Sequence, residues 1–292
     1  MRVVEHGDIT RREFARMAVA AGMAAVTAAN ASAQQRLTET NVDIKTMDGT
    51  CDAAFIHPAV GAYPAVLMWT DAFGLRPATR EMARRLAADG YAVLVPNPFY
   101  RTARAPLFDD ASKINVVDPV QVARLRPLMN SVAAAGVAER DAAALIAWLD
   151  TQRQVDRSRK AGTTGYGMGG ALAVRTAAAV PGRVGAGASF HAYDLVTANA
   201  DSPHLLAPKI KGRMYFGVAG EDDRQQPKTT TTLREAFTAA KVPVDVEVYP
   251  DAPHGWCVPD MPLLPSGQPL YSKADAERAR VRLIAVYKRA LV

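Results

Sequence analysis

Residues Gly165-Tyr166-Gly167-Met168-Gly169-Gly170 have the spacing of a strand-to-helix turn that lifts a nucleophile into reach of a substrate, the G-x-S-x-G or G-x-C-x-G elbow. A strand-like run precedes them and a helix-like run follows. The central residue is Gly167, which has no side chain and therefore no attacking atom. Other polar residues stand where strands should end. Asp71 follows Ala65–Trp69, His191 follows Val184–Phe190, Glu221-Asp222-Asp223 follow Arg213–Val218, and His254 follows Val244–Tyr249. The order elbow, acid, histidine suits a relay in which a carboxylate orients an imidazole that accepts a proton from the attacking group. Taken singly, each has a plainer reading. An Asp after a strand is often a helix cap or turn former, three acids in a row are usually a solvated loop, and a histidine in a turn can simply pack. Together, in this order and at successive strand ends, they favour a catalytic frame.

The elements that must position these residues alternate along the chain. Asn41–Thr46 and Thr50–His57 read as a hairpin about Asp48-Gly49. Strands are expected at Ala65–Trp69, Ala92–Val95, Lys160–Gly165, Val184–Phe190, Arg213–Val218 and Val244–Tyr249. Helical spacing marks Ala78–Asp89, Val120–Ala135, Val137–Thr151, Gly169–Ala179, Thr230–Ala240 and Ala274–Leu291, with Asn97–Pro119 irregular between them. Strand–helix alternation implies an α/β fold with a mostly parallel central sheet and helices on both faces, whose function lies at the carboxyl ends of the strands.

The chain has 292 residues, 49% hydrophobic and 22% charged, with a formal charge of +6. That composition suits one large globular domain, assigned to residues 34–292. The basic residues are scattered, and no aromatic-interleaved basic cluster points to nucleic acid. No metal or organic cofactor is implied. Zinc-type Cys/His spacing is absent, and the elbow glycines have neither the Lys-Ser/Thr pair of a phosphate loop nor the dinucleotide spacing. Residues 1–33 read differently. Arg11-Arg12, Phe14 and Arg16 precede a weakly apolar run, Met17–Ala29, and then Ala31-Ser32-Ala33, a small-x-small cleavage pattern. This is the order of a twin-arginine-type export signal, which implies passage through that export machinery to a periplasmic or extracellular site. No stable membrane association is expected after it, and the protein is expected as a monomer or small homo-oligomer. Cys51 and Cys257 are expected as two free or buried thiols.

Four segments in order resemble the dienelactone hydrolase family, and the resemblance covers nearly all of residues 34–292. They are Asp71-Ala72-Phe73-Gly74, the elbow Gly165–Gly170, Gly220-Glu221-Asp222-Asp223-Arg224-Gln225-Gln226-Pro227, and Tyr249-Pro250-Asp251-Ala252-Pro253-His254-Gly255. The resemblance implies an α/β-hydrolase fold acting on a small-molecule ester or lactone. It implies Asp223 as orienting acid, His254 as base, Asp71 as accessory carboxylate, and the N–H groups of Ala72 and Met168 as oxyanion donors. It also implies Phe73, Tyr100, Arg101, Arg104, His191 and Trp256 as substrate contacts. The chain departs from the family at three points. Asp71 stands where the family usually has Glu. The family's Cys is Gly167, and the second arginine of a carboxylate clamp, four residues past the histidine, is Val258.

Gly167 leaves four readings open. The activity is lost; a water held at the vacated position attacks, activated by His254; another residue (Cys257, Thr163 or Thr164) serves as nucleophile; or the residue itself is an alteration. The rival class is a periplasmic ligand-binding protein that uses the same cleft without turnover.

Overall fold

The carboxyl edge where these residues gather belongs to a sheet built on β3 (Ala65–Trp69), five consecutive buried apolar residues. In the computed structural model, residues 36–115, 118–264 and 266–292 are described, and the expectations for residues 1–33 lie outside them. Around β3 stand β1 (Leu37–Thr46), β2 (Gly49–Pro58), β4 (Ala92–Pro96), β5 (Ala161–Tyr166), β6 (Val184–Phe190), β7 (Arg213–Ala219) and β8 (Val244–Tyr249). They form one sheet in the order β1-β2-β4-β3-β5-β6-β7-β8. β1 and β2 pair antiparallel, as do β2 and β4, and every other pair is parallel. The order turns back on itself at β3 and β5. Their carboxyl ends therefore open a crevice at the topological switch point, and Asp71 and Gly167 emerge there.

The helices are α1 (Pro77–Ala88), α2 (Pro119–Ala133), α3 (Val137–Leu149), α4 (Met168–Ala179), α5 (Gly220–Gln225), α6 (Thr229–Ala239) and α7 (Lys273–Ala290). The period-two alternation of β3 decides which helices cover which face. Val66 and Met68 join Leu86 of α1 and Leu283 and Tyr287 of α7. Leu67 and Trp69 join Leu145 and Leu149 of α3 and Leu172 of α4 on the other face. Farther along the sheet, Met214 and Phe216 of β7 pack on Leu233 and Phe237 of α6. Each large apolar side chain fully buried this way contributes about 1.5–3 kcal/mol relative to exposure. Residues Leu37–Val292 cluster as one compact unit.

The elements follow the sequence reading, with shifted ends at several of them and an unforeseen 3₁₀ segment at Pro203–Lys209. β1 begins at Leu37, because Leu37 to Thr46 stays in register with Pro58 to Gly49. The acidic run after β7, where the sequence pattern marks no helix, is the short helix α5. A one-turn 3₁₀ segment, Ala111–Lys113, lies within the irregular stretch. Cys51 and Cys257 are both free and buried, as expected.

The tightest constraint is the β5–α4 turn. A Cβ on Gly165 would stand 1.8 Å from the carbonyl oxygen of Gly169, so the turn closes only with glycine there. Gly165→Ala is expected to cost about 3 kcal/mol or more by overpacking against backbone. Gly182→Ala, where a Cβ meets nothing within 4 Å, should be neutral or gain up to about 1 kcal/mol. Paired urea denaturation curves measure the difference.

Candidate active site

Gly167 occupies the elbow at φ +52°, ψ −121°, ahead of the first residue of α4. Its N–H donates to the Phe190 carbonyl at 3.0 Å and to His191 Nδ1 at 3.1 Å. A Cβ there would make only ordinary contacts, 3.6 Å from Asp71 Cβ and 3.7 Å from His191 Nδ1. Space is available for a nucleophile; the backbone angle is the obstacle, since a side chain at this φ stores about 1–3 kcal/mol of strain. Gly167 carries neither that strain nor an attacking atom. Met168 opens α4 and Ala72 sits in the turn after β3. Both line the same cavity, and neither N–H has a protein acceptor among the described residues. Free N–H groups at a helix start, facing a cavity, suit a developing negative charge.

The base and its acid come from the two loops after β8 and β7. His254 Nδ1 lies 3.1 and 3.0 Å from the two carboxylate oxygens of Asp222. Asp222 is buried, whereas the His254 side chain is 40% exposed toward the cavity. With Nδ1–H donated to the carboxylate, Nε2 is left as a bare acceptor. Asp223, the acid implied by the family spacing, does not hold His254. The chain enters α5 at Gly220, so successive side chains rotate by about 100°, and it is Asp222 that turns toward the imidazole. One Asp223 oxygen, Oδ1, is buried without a hydrogen-bond partner. Gly220 makes the approach possible, since a Cβ there would fall 2.0 Å from the Pro250 carbonyl oxygen. The two loops are also stitched directly. The His254 N–H donates to Glu221 Oε2 at 2.9 Å, and Arg224 donates to the Pro250 carbonyl at 3.0 Å.

Asp71 lines the cavity, but its carboxylate is engaged from behind. Arg76 Nη1 donates to Oδ1 at 2.7 Å and Nη2 to Oδ2 at 2.9 Å, while the Phe73 N–H also donates to Oδ1 at 2.9 Å. The other side of the guanidinium holds Asp260 at 2.8 and 2.7 Å. Burial works against charge on Arg76, and the two carboxylates overcome it, so the group stays cationic. Asp71 is therefore a fixed wall of the site. The sequence gives no sign of Arg76 or of its partner 184 positions away.

His191 is 1% exposed and sits at φ +39°. Its ring stands edge-on to His254 at 5.2 Å and to Trp256 at 5.1 Å between centroids. Burial pushes its pKa well below the usual histidine value, and His254 nearby adds to the shift. The ring is neutral, with the Gly167 N–H on Nδ1, and forms the cavity floor next to the elbow. Phe73 also lines the cavity.

Four expected substrate contacts are elsewhere. Arg101 pairs with Asp48 and Asp141, and its guanidinium lies over the Tyr100 ring. The Tyr100 hydroxyl donates to Asp141. Arg104 pairs with Asp43 at the surface. These contacts brace the β1–β2 hairpin and α3. Trp256 is fully buried, stacked on Tyr249 beneath His191. The alternative nucleophiles are also excluded by position. Cys257 lines a separate cavity of about 110 Å³ on the α1 and α7 face. Burial, helped by Asp275, holds its thiol well above the usual range and so protonated. Thr163 and Thr164 are buried within β5.

The main cavity has a volume of about 830 Å³, at the upper end of the range for small-molecule sites. Its walls are mostly apolar, including Phe73, Leu125, Met129, Met261 and Leu264. Among the described residues no group of three His, Cys, Asp or Glu side chains is arranged to hold a metal ion.

The neutral state of His191 has a consequence for stability. In the unfolded chain this residue takes up a proton near pH 6.5, while the buried ring does not. Its contribution is fully present above that pH and is lost as pH falls from 6.5 toward the folded value. His191→Asn keeps an acceptor for the Gly167 N–H and removes the titration. Between pH 6.5 and 5, its stability should fall less steeply than wild type, by up to about 1.4 kcal/mol per pH unit. Denaturation at a series of pH values reads the two slopes.

Comparisons with known proteins bear on the fold and the family. A carboxymethylenebutenolidase from Rhodococcus opacus is 27% identical over 216 residues, covering 71% of this chain and 77% of its own. One from Pseudomonas putida is 26% identical over 221 residues, covering 75% and 86%. The crystal structure of a dienelactone hydrolase-like promiscuous phosphotriesterase from metagenomic libraries superimposes with a TM-score of 0.70 at 22% identity, over 88% of this chain and 99% of that one. A model of the dienelactone hydrolase family matches residues 51–291, and the chain belongs to that family.

Proposed function

We propose that this chain hydrolyses an ester or lactone by direct attack of water, without an acyl-enzyme. The observation that carries this is the pairing of His254 Nδ1 with both oxygens of buried Asp222, at a cavity whose elbow residue leaves an open position. The carboxymethylenebutenolidase relatives support the ester or lactone class. In the reaction, water oxygen bonds to the substrate carbonyl carbon while its proton passes to His254 Nε2. Asp222 holds the Nδ1–H and stabilises the imidazolium. The carbonyl oxygen gathers negative charge against the N–H groups of Ala72 and Met168. As the tetrahedral species collapses, the bond to the alkoxide breaks and His254 returns its proton to the leaving oxygen. The arrangement keeps the general base and the electrostatic stabilisation of a triad enzyme and gives up covalent catalysis. A residual acceleration of roughly 10³–10⁴ over water survives loss of the triad in serine proteases.

We propose further that residues 1–33 direct twin-arginine export. Support comes from Arg11-Arg12, the weakly apolar run after them and Ala31-Ser32-Ala33. Replacing both arginines with lysine should leave the protein in the cytoplasmic fraction, whereas the parent appears in the periplasm or medium.

A panel of aryl, alkyl and lactone esters tests the chemistry. Wild type should turn over without a pre-steady-state burst. His254→Ala should lose about 10²–10⁴-fold in kcat, and Asp222→Ala should also lose activity, while Asp223→Ala changes it little. Gly167→Cys should introduce a burst of acyl-enzyme. Turnover unchanged in His254→Ala would end the water-based proposal. Binding with no turnover in wild type would assign the chain to ligand capture.

A further inference from the structure

The charges around the cavity say which esters it accepts. The reading rests on the hydrolytic function for the bond that is cut, but the selection is a property of the cavity itself. Among the described residues, four carboxylates line it (Asp71, Asp194, Asp201 and Glu221) against a single arginine, Arg175. Arg175 gives nothing to a bound anion. Its side chain is 11% exposed, with Nη1 on Glu139 at 2.7 Å and Nη2 on Asp201 at 3.0 Å. The other guanidinium near the site, Arg76, is divided in the same way between Asp71 and Asp260. Each buried cation is thus shared by two carboxylates, which leaves the wall negative at both places. Asp194 has no ion-pair partner among the described residues, and Glu221 accepts only from the His254 N–H and the Gln225 amide. The two arginines that could have met a carboxylate from the 97–119 stretch, Arg101 and Arg104, are bound to acids away from the cavity. Val258 is buried where a second clamp arginine would stand.

The rest of the wall is apolar and adaptable. Three methionines, Met129, Met168 and Met261, face the space together with Phe73 and Leu125. Unbranched methionine side chains conform to ligands of varied outline. A cavity of about 830 Å³ has room for far more than a small lactone ring.

We propose that this site selects uncharged or cationic esters and lactones carrying a large apolar group, and rejects those carrying a carboxylate. Repulsion from Asp194 and Glu221 has no compensating cation, and burying a carboxylate against the apolar wall costs hydration that nothing there replaces.

The test separates selection from turnover by using ketones that cannot be hydrolysed. The full chain is titrated calorimetrically with 6-phenylhexan-2-one, its para-carboxylate and its para-trimethylammonium derivative, with butan-2-one as the short control. At low ionic strength the neutral and cationic ketones should bind at least about tenfold more tightly than the carboxylate. Added salt should narrow the cation–anion gap, and butan-2-one should bind weakest. Asp194→Asn should raise carboxylate affinity several-fold. Carboxylate binding as tight as that of the neutral ketone, or no binding by any of the three aryl ketones, would overturn the proposal. Ester turnover is read separately. The neutral-over-anion order without hydrolysis would sink the hydrolytic function and keep the selection, and hydrolysis with the order reversed would do the opposite.

Discussion

The contact between Gly165 and Gly169 fixes where everything else at the site can be. With 1.8 Å between a notional Gly165 Cβ and the Gly169 carbonyl oxygen, β5 passes into α4 with no room for a side chain. The start of α4 is thereby pressed onto the end of β3, where a Cβ on Gly169 would come within 2.4 Å of the Thr70 carbonyl oxygen. This places the Met168 N–H beside the turn that carries Asp71 and Ala72. The placement of the Met168 and Ala72 N–H groups is a product of backbone packing and needs no particular side chain at either position. The frame can thus persist with glycine at the elbow, since the contacts that build it lie on either side of Gly167.

Glycine at the elbow also changes the local energetics. An elbow that presents a side chain holds it in a strained backbone region, and the surrounding packing has to sustain that strain. With Gly167 the strain is absent, and the His191 ring lies against the turn with its Nδ1 on the Gly167 N–H. The consequence is a tautomer argument. Two imidazoles 5.2 Å apart are fixed in different protonation patterns. His191 has its lone pair on Nδ1, facing the elbow, while His254 has its proton on Nδ1, facing Asp222. Only His254 presents a basic nitrogen to the cavity. The burial that keeps His191 neutral avoids a positive charge beside the His254 ring, which the proposed reaction protonates.

How far the sequence reaches depends on the range of the interaction. Alternation of strand and helix patterns, and four motifs in order, are local, and they placed Asp71, Gly167 and His254 on one edge of one sheet. The choice between Asp222 and Asp223 was not legible, because it turns on helical phase. A six-residue helix in place of a loop rotates each side chain by about 100°, and no spacing rule in an acidic run reports that. Arg76 was invisible for another reason: its meaning comes from Asp260, 184 residues away, and the pairing exists only after α1 and the loop after β8 are folded together. Arg101 and Arg104 were misplaced because an arginine near a site in sequence is free to satisfy any carboxylate it meets, and Asp48, Asp141 and Asp43 were nearer.

The Asp71–Arg76–Asp260 cluster also bears on how a mostly apolar cavity carries negative charge in its wall. A buried guanidinium with one carboxylate would be neutral; with two it holds a net negative charge in a region of low dielectric. Removing Arg76 would leave two carboxylates uncompensated, a loss of about 3–5 kcal/mol for a buried pair broken at one end. The cluster therefore cannot be relaxed to admit an anion without destabilising the turn that carries the Ala72 N–H. The proposed charge selection and oxyanion stabilisation are tied through Asp71. One of its oxygens accepts the Phe73 N–H and fixes the turn, and both oxygens hold the Arg76 guanidinium. In the proposed reaction negative charge develops at the two backbone N–H groups, and the one arginine among the described residues lining the cavity is already paired with carboxylates.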